Sequence, residues 1–329
     1  MKRVAVGISL ILTVLTTASF IVAQAPAAGE AAQQTGNGAP PLSNPLKVAL
    51  LKWYVGGENE FVVGKTQNSN PYGLAFDGQA IWSANAGEGS VTKLRASDGE
   101  HLGTFQVGGQ PNGILFDGQN IWVTISPNTV SKLRASDGKI LGTFPTGNAP
   151  WFPAFDGQNV WVPNYADGTV TVLRAYDGKL VRTLQSPSAI GAAFDGQNVW
   201  ITNYTPNTVT KFHASDGKQL GVFPVGVSPL GVAFDGANIW TANENDGTVT
   251  KLRASDGAKL GTFSVFGLPY GIAYDGQFLW VSTGTGLAQV AENGTLVSDL
   301  NANGGSTGVA FDGANIWVAI GLGDYLRKY

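Results

Sequence analysis

Seven tryptophans recur every 37 to 40 residues, each inside a strand-like phrase bounded by Gly-containing turns. Together these features predict an all-β fold: a seven-bladed β-propeller with four-stranded antiparallel blades. The tryptophans are Trp82, Trp122, Trp161, Trp200, Trp240, Trp280 and Trp317. The phrase reads "GAAFDGQNVW" at 191–200 and "GVAFDGANIW" at 231–240. Composition agrees, because 45 glycines and only 13% charged residues suit short strands and tight turns rather than a helical bundle or a disordered chain.

The elements follow in chain order. Residues 1–27 open on Lys2 and Arg3, continue as an apolar run from Val4 to Ala23, and reach Ala25-x-Ala27. This is the pattern of a signal peptide cut before Ala28, with an uncleaved membrane anchor as the rival reading. Residues 28–44 are small, polar and Pro-containing, as in a flexible tether. Residues 45–58 suit a short helix, capped by Asn44 and started by Pro45. The propeller is expected over 59–329.

Blade four shows the parts of one repeat. "GAAFD" is expected as the innermost strand, "VWITN" as the second, "NTVTKFHA" as the third and "KQLGVFPVG" as the outer strand. Asp-Gly pairs supply the turns. The last repeat stops after three strands, while "NEFVVGKTQNSNPYG" (59–73) aligns with an outer strand and its link. The ring is therefore expected to be closed by the N-terminal strand, three plus one, with no free edge at the seam. The tryptophans and the aromatics before each Asp-Gly turn (Phe76, Phe116, Phe155, Phe194, Phe234, Tyr274, Phe311) are expected to form an interblade core.

Variation between copies points to the functional face. The Asp-Gly turns share one face and hardly change. Links into the inner strands and loops after the second strands share the other face and do change. The links usually read Pro-x-Gly, and their x residues include Tyr72, Asn112, Trp151, Leu230 and Tyr270. Blade three also has Phe152 in place of the Gly. Asn85, Asn164, Asn203 and Asn243 end four second strands, and Tyr165 and Tyr204 follow two of them. An aromatic, amide-rich mouth around the central channel is the expectation, with Glu244 beside it. Such a mouth suits a neutral polar ligand with apolar faces, a glycan or a protein loop, although the same aromatics could simply plug the channel.

Catalytic chemistry finds little support. There is no cysteine, so thiolate nucleophiles, Cys-ligated metals and disulfides are excluded. The two histidines, His101 and His213, fall in different blades near the repetitive face. Glu88, Asp167 and Asp246 each precede a Gly and read as turn formers, whereas Glu244 and Asp324 do not follow that rule. "NENDGT" (243–248) lacks the ligand spacing of a calcium loop. No catalytic residue, metal or cofactor is assigned. With a net charge of −3 and no long basic stretch, a nucleic-acid partner is not expected.

The segment "VWITNYTPNTVTKFHASDGKQLGVFPVGVSPLGVAFDG" (199–236) resembles the YVTN/YncE-like propeller repeat, with Trp in the place of the leading Tyr. The likeness runs over about 59–329. It implies the seven-bladed fold and leaves activity open. Virginiamycin B lyase-like propellers have a similar strand pattern but use a His on the ligand face, where neither His101 nor His213 maps. Lactonase-like propellers hold a metal with inward acids, of which the mouth positions offer none. Quinoprotein propellers repeat a docking Trp that is missing after "SDGKQLG". The expected function is an exported (secreted, periplasmic or surface) binding propeller. A lyase or hydrolase of the lyase-like or lactonase-like type is one alternative, and a cell-surface scaffold is the other.

Overall fold

A computed structural model of the chain describes residues 60–64, 68–302 and 304–329. The expected leader, tether and short helix lie outside the described residues. The described chain forms seven four-stranded antiparallel sheets. Blade four comprises Ala189–Phe194, Asn198–Asn203, Thr208–His213 and Gln219–Pro224, hydrogen-bonded in that order. The seventh sheet takes Ser306–Phe311, Ile316–Ile320 and Tyr325–Lys328 from one end of the chain and Glu60–Val62 from the other. There Phe61 pairs with Leu326 in the antiparallel ladder.

The inner strands run close enough to touch. A Cβ on Gly191 would stand 2.3 Å from the Leu230 carbonyl, and one on Gly308 would stand 2.2 Å from the Tyr72 carbonyl. Only glycine fits this approach, which explains the Gly of Pro-x-Gly. Blade three replaces it with Phe152, and Pro153 then removes a ladder donor. Its inner strand shrinks to Ala154–Phe155. Phe152 instead makes a parallel bridge to Gly191 of the next blade.

The tryptophans are core, with six of the seven at most 1% exposed. Hiding one such side chain is worth roughly 4–6 kcal/mol at most. Their Nε1 is not left bare. Trp82 donates to Asp77 Oδ2 at 2.7 Å, and every blade repeats the bond between its Trp and the Asp five residues earlier. The same Asp accepts backbone N–H groups of its own turn, so the recurring Phe-Asp-Gly is a turn clamp that also satisfies the core. A third-strand lysine covers the Trp face in five blades. Lys211 Nζ lies 5.0 Å from the Trp200 ring and donates to the Ala254 carbonyl of the next blade at 2.7 Å.

The expected aromatics do join the interblade layer, each packed against the cluster that holds the tryptophan of the preceding blade. Phe76, Phe116, Phe155, Phe194, Phe234, Tyr274 and Phe311 are only half-buried, because they stand at strand ends beside the Asp-Gly turns. A second ring against most tryptophans comes from the outer strand, as in Trp200–Phe223 at 5.5 Å and Trp82–Phe105 at 5.6 Å. Each such Phe also lies against the turn glycine of the following blade: Phe105 on Gly138, Phe144 on Gly178, Phe223 on Gly257 and Phe263 on Gly294. Phe61 does the same on Gly99, so the short N-terminal strand forms the joint between blades seven and one.

Candidate functional site

Three rings from blades one and three gather at the mouth of the channel. Tyr72 lies 5.5 Å from Trp151 and 6.0 Å from Phe152, and Trp151 lies 5.6 Å from Phe152. The channel encloses about 180 Å³, lined by Phe152, Pro153 and inner-strand Gly, Ala, Val, Leu and Ile residues. Asn112 and Leu230 are each 5% exposed and turned inward. The Asn112 amide donates to Ser126 Oγ at 3.0 Å and to the Pro150 carbonyl at 3.2 Å, so it bridges blades two and three.

A second group forms on blades four to six. Glu244 begins a short 3-10 turn after the second strand of blade five. Its Oε2 accepts a 2.8 Å hydrogen bond from Tyr204 Oη. Burial, and then hydrogen bonding to Glu244, raise the Tyr270 and Tyr204 phenols above the ordinary tyrosine value. Tyr72 is pushed up to about 12, by burial first and by the Glu244 charge second. At neutral pH all three therefore remain hydrogen-bond donors. Tyr165 meets Tyr204 edge-on at 6.0 Å and is the most open of these rings, at 36% exposure.

The expected amide-rich mouth is overturned. Asn85, Asn164, Asn203 and Asn243 are buried, and each donates across its loop to two hydroxyls of the third strand. Asn203, for example, reaches Thr208 Oγ1 at 3.0 Å and Thr210 Oγ1 at 2.7 Å. A strand-end amide facing two Ser/Thr residues uses both of its N–H donors inside the blade. The oxygens of Asn85, Asn203 and Asn243 accept from Ser or Thr hydroxyls, whereas Asn164 Oδ1 is buried without a partner. The spacing Asn-x4-Thr-x-Thr carries that signal in the sequence. Asp324 is corrected too. Its Oδ1 accepts from Asn70 N at 2.9 Å and Ser69 Oγ at 3.1 Å, the link-pinning role that Asp167 and Asp246 play in their own blades.

Blade six breaks the amide rule and opens a cleft. Its second strand ends at Ser282 and is followed by Thr283, where blade four has Thr202-Asn203. Its loop is two residues shorter, with Gly284 in the place of Tyr204. Its third strand offers Gly286 and Ala288 in place of the two hydroxyls. Thr283 Oγ1 is therefore buried without a hydrogen-bond partner, a cost of about 1–3 kcal/mol. Beside it lies a cavity of about 310 Å³ that runs toward blades seven and one and is bordered by Tyr72 and Tyr270. Tyr72 and Tyr270 stand out in the sequence as link residues, whereas Thr283 does not. The 37-residue spacing from Trp280 to Trp317 was its visible trace.

Both histidines lie away from this face. His101 pairs with Thr104 Oγ1 at 2.8 Å on an outer strand, and His213 with Asp216 Oδ1 at 3.0 Å in an Asp-Gly turn. Among the described residues, no cluster of His, Asp and Glu is suited to a metal ion.

The architecture is that of a seven-bladed β-propeller. In particular, it is similar to a streptogramin B lyase structure, with a TM-score of 0.72 at 17% identity, covering 82% of this chain and 95% of that one. Virginiamycin B lyase from Staphylococcus aureus gives a TM-score of 0.71 at 18% identity, covering 82% and 97%. BamB from Moraxella catarrhalis gives 0.60 at 15% identity, covering 78% and 84%. At such identities the likeness concerns the fold alone. No protein-family model and no curated protein matches the chain.

Proposed function

We propose that this protein is an exported propeller, built from YVTN-like repeats, that binds a glycan on the mouth face and performs no catalysis. The observation that carries the reading is the grouping of Tyr72, Trp151 and Phe152 with the Tyr204–Glu244 pair and Tyr270 on one face. Aromatic faces accept the C–H side of a sugar ring, while phenols and one carboxylate satisfy its hydroxyls. The leader-like residues 1–27 support a place outside the cytoplasm, secreted, periplasmic or surface-held.

The test is an oligosaccharide panel measured by calorimetry on the purified domain. Binding that is lost in Trp151→Ala, with folding retained, supports the reading. A parent protein that binds no glycan but captures a protein ligand through Trp151 overturns it in favour of protein recognition.

The Tyr204–Glu244 pair favours a second reading, a lyase in which Glu244 acts as base, as a carboxylate within hydrogen-bonding reach of a proton carrier can. Two of the similar folds are lyases, at the level of fold only. Turnover of an offered substrate that disappears in Glu244→Gln would support this alternative.

A further inference from the structure

We infer that the cleft between blades six and seven holds one neutral hexopyranose unit, anchored through Thr283. The inference rests on the glycan reading above and locates part of its specificity. The cleft encloses about 310 Å³, the lower end of the ~300–1,000 Å³ typical of small-molecule sites, as one ring rather than a chain requires. Among the described residues no Lys, Arg, His, Asp or Glu lines it, so a carboxylated or phosphorylated sugar would meet no counter-charge from them. Phenol-bearing Tyr72 and Tyr270 border it, and Leu268 and Leu322 offer apolar surface, Leu322 being 87% exposed.

The decisive group is the Thr283 hydroxyl. Four other blades carry an amide at this position and tie both of its N–H donors to third-strand hydroxyls. Blade six carries a hydroxyl, removes both of its internal partners and shortens the loop above it. Those three departures coincide where the cleft opens. A buried hydroxyl without a protein partner is matched by a ligand that can both donate and accept, and a sugar hydroxyl does both.

The experiment uses methyl β-D-glucopyranoside, methyl β-D-galactopyranoside and methyl α-D-mannopyranoside as probes, with methyl β-D-glucuronide as the charged control. Thermal shift and ligand-observed NMR are read on the parent, on Thr283→Val and on Thr285→Trp, which fills the cleft from an exposed position. At least one neutral glycoside should raise the parent Tm. Thr283→Val should bind it at least tenfold more weakly while its ligand-free Tm equals or exceeds that of the parent. Thr285→Trp should lose binding at unchanged Tm, and it carries the test alone if Thr283→Val does not fold. Equal binding of the glucuronide, or undiminished binding by the variants, overturns the inference. Oligosaccharides that depend on Trp151 but not on Thr283 or Thr285 leave the mouth reading standing and remove only the cleft. A parent that binds no glycan removes both.

Discussion

Trp200 Nε1 donates to Asp195 Oδ2 at 2.8 Å, and Asp195 Oδ1 accepts the backbone N–H groups of Gln197 and Asn198 in the same turn. One carboxylate thus satisfies a core indole and closes a hairpin. Asp195→Ala should leave the indole N–H unpaired and open the turn, costing about 2–4 kcal/mol in urea unfolding. Asp195→Asn keeps one acceptor oxygen and should cost less. Equal stability of Asp195→Ala and the parent would contradict the clamp.

The mouth and core tryptophans should separate cleanly. Trp200→Ala empties a fully buried site and should cost about 3–5 kcal/mol. Trp151→Ala should cost less, because Trp151 is only half-buried, and should act on ligand binding instead. Denaturant midpoints and calorimetric titration on both variants test the split.

Blade three has exchanged one interblade pin for another. In blades one, two, four and five a third-strand Lys faces a Gly across the ladder, as Lys132 faces Gly142. Here Val172 faces Arg182, whose Nη2 donates to the Ser215 carbonyl of blade four at 3.1 Å. Its other terminal nitrogen, Nη1, is buried without a partner. Arg182→Gly and Val172→Lys should each destabilise by about 1 kcal/mol, while the double variant should recover most of the loss, a coupling of about 1–2 kcal/mol in a mutant cycle. Simple additivity would refute the exchange.

The seam is tested at Gly99. Its φ of +77° suits glycine, and a Cβ there would stand 1.9 Å from the Phe61 ring. Gly99→Ala should cost at least about 1–3 kcal/mol from the backbone conformation alone, with the displaced ring adding to it. Phe61→Ala should lower Tm by removing the 5.2 Å contact with Trp317. An unchanged Tm in both would mean that the N-terminal strand does not hold blade seven.

Alkaline titration should report on the mouth. A phenol whose folded pKa is raised keeps its proton where the unfolded chain has released it. Tyr72 therefore contributes stability that is complete below pH ~10 and is lost as pH rises from ~10 through about 12. Ultraviolet titration should show a late phenolate fraction that shrinks in Tyr72→Phe. In Glu244→Gln it should move earlier only in part, because burial is the larger cause.

The ring of seven blades was legible because Trp, Asp-Gly and Pro-x-Gly recur in phase, and each does the same physical work in every copy. The joints were not, because Phe223 and Gly257 lie 34 positions apart in different repeats, and only packing reveals that one rests on the other. At the mouth, Tyr72, Trp151 and Phe152 could be found as variation on a constant frame. The amides misled because an exposed Asn and a self-satisfied one look alike until the Ser and Thr residues across the loop are counted. Thr283 was hidden for the opposite reason. Its meaning lies in partners that are missing, and a missing partner leaves only a shortened repeat.

Since Glu60–Val62 and Tyr325–Lys328 are neighbours in one sheet, the domain's two ends arrive side by side. Where the polypeptide starts is then a matter of indifference to the ring. Splicing those ends together and cutting anew at an exposed Asp-Gly turn, such as the one at Gly196, would yield a rearranged gene whose product keeps every joint.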